Sequence, residues 1–240
     1  MILMALPPII YGQTKSASGI SPSARSIEMQ SEKADVDSAK YEQFMVLSEK
    51  HYHESYKEPD NEAQRVQSLN RALEAVRTSL KLKRQASAQA FECLLMLELA
   101  RYQGGEEATR SVDLCKKELE DILRTAPTDH TANFAYGLLS YEVLQVGSVK
   151  RFLAQFFFTP LPEDLSYDSA LLHLLQAKLS RETPHLYYTL AETYFALNNQ
   201  RYALESLQKC LSLKEENPYI DAYYKKQAGV FLENYRTRYK

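Results

Sequence analysis

The chain has 240 residues, with 7 glycines, 9 prolines, no tryptophan and 17 tyrosines. So little glycine argues against a doubly wound α/β enzyme, whose phosphate turns and strand ends need it. A formal charge of -2 provides no basic field for nucleic acid or anionic lipid, so no nucleic-acid partner is expected.

Residues 1–11, MILMALPPIIY, are apolar and give way at Gly12 to polar sequence. The run is too short to span a bilayer, which takes about 20 apolar residues. It has the apolar stretch and small-residue junction of a secretory signal peptide, with cleavage after Gly12. The basic flank is missing, since the first lysine is Lys15, so residues 1–12 read as a truncated leader. Export, for instance to a periplasm, is the expectation; the alternative is a cytoplasmic chain with a greasy terminus. Residues 13–35, rich in Ser, Ala and charge, predict a flexible polar linker that frays into the first helix.

From residue 36 the chain reads as helix after helix, and no window shows the sustained alternation of a half-buried strand. Ala39, Phe44, Leu47 and Tyr52 form one rough stripe that ends before Pro59. Val66, Leu69, Leu73, Val76 and Leu80 form the next, with Asn61 as N-cap. These two make a helical pair over 36–82, and the basic KLKR at 81–84 suits a helix C-terminus. ASAQAFECLLMLELARYQ is apolar nearly all round, which predicts a central buried helix. After Gly104-Gly105 an amphipathic segment turns Val112, Cys115, Leu119 and Ile122 inward and stops at Pro127. That is a second pair, over 85–126. Cys93, Cys115 and Cys210 are odd in number and have no CxxC spacing, so they fit neither a disulfide framework nor a zinc site and are expected in the core.

Residues 184–218 hold the clearest repeat. Tyr187, Leu190, Ala191 and Tyr194 lie on its first helix, Ala203, Leu207 and Cys210 on its second, with Asn198-Asn199 between and Pro218 at the close. This spacing resembles a tetratricopeptide (TPR) repeat. Small residues at Ala191 and Ala203 let two helices approach, while Tyr187, Tyr194 and Leu207 fill the groove between repeats. The preceding unit, over 131–183, carries Gly137 and Tyr141 on its first helix and Ala170, Leu174 and Ala177 at the matching spacing on its second. Between them stands QVGSVKRFLAQFFFTPLPEDL, an insert within 145–166 that adds about twenty residues to a compact unit of about 34. After the last pair, 184–215, a capping helix over 218–236 closes the array, as solenoids require. The expected fold is all-α: a right-handed TPR-like solenoid of helical hairpins over 36–240.

Over residues 131–215 the chain resembles the regulator of microtubule dynamics protein family. That family has a TPR-like domain with Gly-x-x-x-Tyr on its penultimate first helix. An insert follows, with an Arg, a Phe seven residues on and a Pro-rich turn. Gly137 and Tyr141 match the first element, Arg151, Phe158, Pro160 and Pro162 match the insert, and Tyr167 with Ala170 opens the next helix. An aromatic at the start of the first helix is met here by Phe134. The resemblance implies a fold of this class and, from animal members, ties to microtubules and to mitochondrial or reticulum membranes. For an exported chain only the fold would carry over.

No P-loop, dinucleotide, HExxH, GxSxG or EF-hand motif is present. His51 and His53 are two residues apart and diverge on a helix; Glu106, Glu107, Glu118, Glu120 and Asp121 read as a solvated face. The chain is therefore expected to be no enzyme and to hold no cofactor or metal. The phenylalanine run has three readings. Phe152, Phe156 and Phe157 plug the solenoid, or Phe157 and Phe158, beside Arg151, line the concave groove as anchors for a peptide. In the third, the segment 151–162 is the lid of a cavity for an apolar ligand or lipid. Asn133, Gln176 and Tyr188 are the candidate groove residues for polar specificity. The cationic YRTRYK terminus reads as a solvated end, and membrane contact is not indicated. The expected function is a non-catalytic scaffold that binds a peptide or protein partner in its groove, with an apolar-ligand or lipid-binding module as the alternative.

Overall fold

The computed structural model describes residues 22–103, 105–145 and 165–238, and among these there are nine α-helices and no strand. They are α1 (Pro22–Glu54), α2 (Glu62–Leu82), α3 (Ala86–Ala100), α4 (Gly105–Thr125), α5 (His130–Gln145), α6 (Tyr167–Ser180), α7 (Pro184–Ala196), α8 (Gln200–Ser212) and α9 (Ile220–Arg238). Two compact units meet between Val36 and Asp37. In the first, residues 22–36 are helical backbone, so helix starts inside the stretch expected as a linker over 13–35, of which residues 13–21 lie outside the described residues. A proline at the first helical position followed by Ser, Ala, Arg, Glu, Met and Gln favours helix although little there is apolar. The leader at 1–12 lies outside the described residues.

In the second unit α3 packs on α5, α5 on α7 and α7 on α9, while α4, α6 and α8 each pack on the two odd helices that flank them. The result is a solenoid of helical hairpins with an inner row of odd helices and an outer row of even ones. The last two turns of α1 join the inner row, since the Tyr52 ring meets Phe91 of α3 at 5.6 Å. Ser48 Oγ on α1 donates to the Ala72 carbonyl at 2.7 Å, which seats the helix on α2.

The helices begin where side chains can take up free backbone N–H groups. Asn61 Oδ1 accepts from Gln64 N, Ser166 Oγ from Ser169 N, Thr183 Oγ1 from Leu186 N and Asn217 Oδ1 from Ile220 N. The α7–α8 turn is made by Asn198 at φ 58°, a left-handed conformation that asparagine tolerates better than most residues. Leu95, Leu119, Leu139, Leu174, Leu186, Leu190 and Leu207 are buried almost completely, each contributing about 2 kcal/mol of apolar burial. Ala191 and Ala203 are fully buried where α7 meets α8. Gly137 sets the spacing of α5 and α6, because a methyl there would lie 2.6 Å from Leu174 Cγ and 3.1 Å from the Ala170 carbonyl oxygen. All three cysteines are free and buried.

Candidate functional site

Steps of three and four residues put Phe91, Leu94, Glu98 and Arg101 on one face of α3, and His185, Tyr188 and Glu192 on one face of α7. Between them α5 presents Phe134 and, two turns on, Tyr141 with Glu142. These stripes meet along the inner row. At their centre is Glu98, a wholly buried carboxylate. Its Oε2 accepts from Arg65 Nη2 at 3.1 Å and from Arg101 Nη1 at 3.0 Å, and its Oε1 accepts from the Tyr56 hydroxyl at 3.0 Å. Burial pushes the Glu98 pKa up, but Arg101 and Arg65 outweigh it and hold the group below the usual carboxylate value. The Arg65 guanidinium lies 4.3 Å from the Tyr56 ring centroid, with the Tyr102 and Tyr223 rings each at 5.9 Å. This aromatic surround offsets part of the desolvation of its charge.

The Tyr56 and Tyr224 hydroxyls lie 3.0 Å apart, which joins the chain just past α1 to α9. His185 stacks on Tyr224 at 3.8 Å and takes Phe134 edge-on at 4.7 Å. Burial drives the His185 pKa down to about 3, so the imidazole is neutral at neutral pH.

Toward the surface the same face becomes a half-exposed rim. The second arm of Arg101 pairs with Glu142 of α5. Glu142 is nevertheless raised above its ordinary pKa, by burial first, with Arg101 pulling it back. Glu192 is half-buried, with the Tyr188 and Tyr141 hydroxyls near enough to ease its charge. Burial raises its pKa to about 7, with the Glu142 charge adding to the rise and both hydroxyls and Arg101 opposing it. Toward the starts of α5, α7 and α9 the face opens into a pocket of ≈ 260 Å³, with Phe91, Leu94, Phe134 and Ile220 as its apolar lining beside Tyr52 and His185.

Of the residues expected in the groove, Tyr188 is on the rim. Tyr141, expected to be packing alone, stands beside it against Glu192. Asn133 is corrected: it is 1% exposed and a core residue. Its Nδ2 donates to the Pro127 and Asp129 carbonyls and its Oδ1 pairs with His173 Nδ1 at 2.9 Å, so the side chain organises the α4–α5 turn. Gln176 is also corrected, being half-buried on α6 in the outer row. Arg151, Phe157 and Phe158, and with them the proposed lid over 151–162, lie outside the described residues. Ala170, Leu174, Ala177, Tyr187, Leu190, Ala191, Ala203, Leu207 and Cys210 are buried, and Tyr194 is half-buried. His51 pairs with Glu54 at 2.9 Å rather than with His53.

The charged centre was missed. Glu98 sits in a helix read as apolar nearly all round, amid the LLMLEL run, and a carboxylate flanked by leucines was the signal to follow. A buried carboxylate needs cations nearby, and Arg65 on α2 and Arg101 at the end of α3 supply them.

A search of curated proteins found no match to this sequence. The family model described as regulator of microtubule dynamics protein 1-3 matches residues 16–236, far beyond the 131–215 that carried the resemblance. The match takes in Arg65, Glu98, the rim and both ends of the inner row, and the chain belongs to that family.

Proposed function

We propose that the protein is a non-catalytic adaptor of the TPR class, whose inner face binds a segment of a protein partner. The observation that carries this reading is the half-exposed run of Tyr102, just past α3, with Tyr141 and Glu142 on α5, Tyr188 and Glu192 on α7 and Tyr223 on α9. Clustered tyrosines with a few oriented charges, beside a pocket of mixed apolar and charged lining, are suited to holding a peptide by aromatic contact and polar specificity. The family name directs the search for the partner to microtubule regulation. The leader reading and that one exclude each other, because an exported chain does not meet tubulin; fractionation of the native host decides between them.

The apolar-ligand alternative is favoured by neither of the two pockets that α1 borders, and its lid over 151–162 lies outside the described residues. The pocket of ≈ 260 Å³ falls below the range of about 300–1,000 Å³ of small-molecule sites. The larger cleft of ≈ 1100 Å³ is walled by Glu49, Lys50, Lys57, Gln67 and Arg71, a poor lining for a lipid.

A photo-crosslinking amino acid placed at Tyr188, in the full chain expressed in its own host, tests the adaptor reading against the same group at Leu172 on the outer row. A discrete protein adduct from the inner position alone supports it. Equal labelling from both positions, or none from the inner one, refutes it.

A further inference from the structure

The inner face holds three carboxylates, Glu98, Glu142 and Glu192, against two guanidiniums, Arg65 and Arg101. Both guanidiniums are committed to Glu98, and the second arm of Arg101 takes Glu142. Glu192 has no ion-pair partner among the described residues; what eases its charge is the neutral hydroxyls of Tyr188 and Tyr141, with Arg101 acting from beyond ion-pair distance. A neutral hydroxyl can solvate a carboxylate but cannot cancel its charge. Among the described residues the surrounding elements supply no further cation: α3 offers Glu98 and the committed Arg101, α5 offers Tyr141 and Glu142, α9 offers Tyr223 and Tyr224, and His185 two turns away on α7 is buried among rings. The tyrosines wall this carboxylate. Tyr188 packs 5.6 Å from Tyr224, and Tyr141 6.2 Å from Tyr167 at the start of α6.

Building on the reading of the inner face as a protein-binding groove, we propose that Tyr141, Glu142, Tyr188 and Glu192 form the receptor for a cationic side chain, an arginine or lysine carried by the bound segment. Such a group would pair with the carboxylate that the described residues leave without a cation, and would rest against tyrosine rings that favour a positive charge. It would also bring the charge of the inner face into balance. An acidic residue at the same place would add a fourth negative charge to a partly desolvated site and is disfavoured.

The test uses the full chain and pools of fluorescently labelled peptides, with random flanks and a fixed central residue of Arg, Lys, Gln or Glu, followed by anisotropy. The Arg and Lys pools should bind about tenfold tighter than the Gln pool, and the Glu pool weakest. Glu192→Gln should reduce that preference to about twofold or less while leaving the Gln pool unchanged. Glu205→Gln, on the outer helix α8 and paired only with exposed Arg201, should keep it. Pools that bind without regard to the central residue, or a preference that survives in Glu192→Gln, overturn the receptor and leave the groove standing. A folded wild-type chain that binds no pool overturns the groove itself, and the receptor with it.

Discussion

Replacing Glu192 by glutamine should stabilise the protein at neutral pH, and the pH dependence of the gain should identify its cause. In the folded chain the carboxyl titrates near 7, against an ordinary 4.5. Between those values the native state binds more protons at this site than the unfolded chain, so stability falls as pH rises through the window. At about 1.4 kcal/mol per pH unit the full loss is about 3 kcal/mol, and residual water contact at the rim trims it to about 2. Glutamine keeps the neutral form and its acceptance from the tyrosine hydroxyls while removing the charge. His185 acts in the opposite sense. Its folded pKa of about 3 lies below the ordinary 6.5, so the stability it contributes is complete above 6.5 and is lost as pH falls toward 3. Between 4.5 and 6.5 the two groups oppose each other in the wild type.

Urea unfolding followed by far-UV circular dichroism, on both proteins from about pH 4 to about pH 8, reads out the difference directly, because every other titration is common to the pair. The expected difference is near zero at the acid end and about 2 kcal/mol in favour of the variant above neutrality. A constant offset across the range would mean packing rather than charge. A less stable variant at about pH 8 would show that Glu192 already has a cation in the folded chain, and would refute the reasoning.

Three further substitutions test the frame that holds this rim. Gly137→Ala should lower stability by about 1–3 kcal/mol, although alanine is the better helix former by about 1 kcal/mol, because its methyl meets Leu174; Leu174→Ala in the same chain should make the alanine tolerable, as a double-mutant cycle in urea would show. Glu98→Gln should cost about 3 kcal/mol or more by leaving buried Arg65 without its counter-charge, and an unchanged denaturant midpoint would show that the pair is not desolvated. Asn133→Ala should cost about 1–3 kcal/mol by orphaning the Pro127 carbonyl and the His173 ring nitrogen, with no effect on peptide binding; lost binding at intact stability would return Asn133 to the groove.

The packing of the hairpins was legible because it depends on local spacing. Ala191, Ala203, Leu207 and Cys210 recur at helical intervals, and close approach of two helices admits only small residues there. The inner row's chemistry depends on which helices meet, and no local pattern reports that. Arg65 reaches Glu98 across 33 residues, and Tyr56 reaches Tyr224 across 168. Asn133 and Tyr188 were chosen on polarity and place in the repeat, but Asn133 stands beside the α4–α5 turn with backbone carbonyls to satisfy. Tyr188, at nearly the same depth in its helix, stands instead on the half-exposed inner rim. The first turns of α1 were read as linker for another reason. Residues 22–35 lack an apolar stripe, and the 3.6-residue period is silent where helix rests on propensity alone.

A solenoid whose repeats touch only their neighbours can open from either end. Here Tyr56, just past α1, packs against Tyr223 and Tyr224 on α9, while its hydroxyl also holds Glu98 on α3. The two ends of the inner row thus share one buried polar knot, and loosening either withdraws a hydrogen-bond donor or an aromatic wall from a desolvated ion pair. That coupling fixes the relative positions of α3, α5, α7 and α9 before any partner arrives, so a bound segment would meet a rim already ordered and would spend less of its binding energy on ordering it. It also explains how the fold tolerates a carboxylate such as Glu192 at neutral pH. The cost falls on a frame tied at both ends, and an incoming cation is the group placed to relieve it.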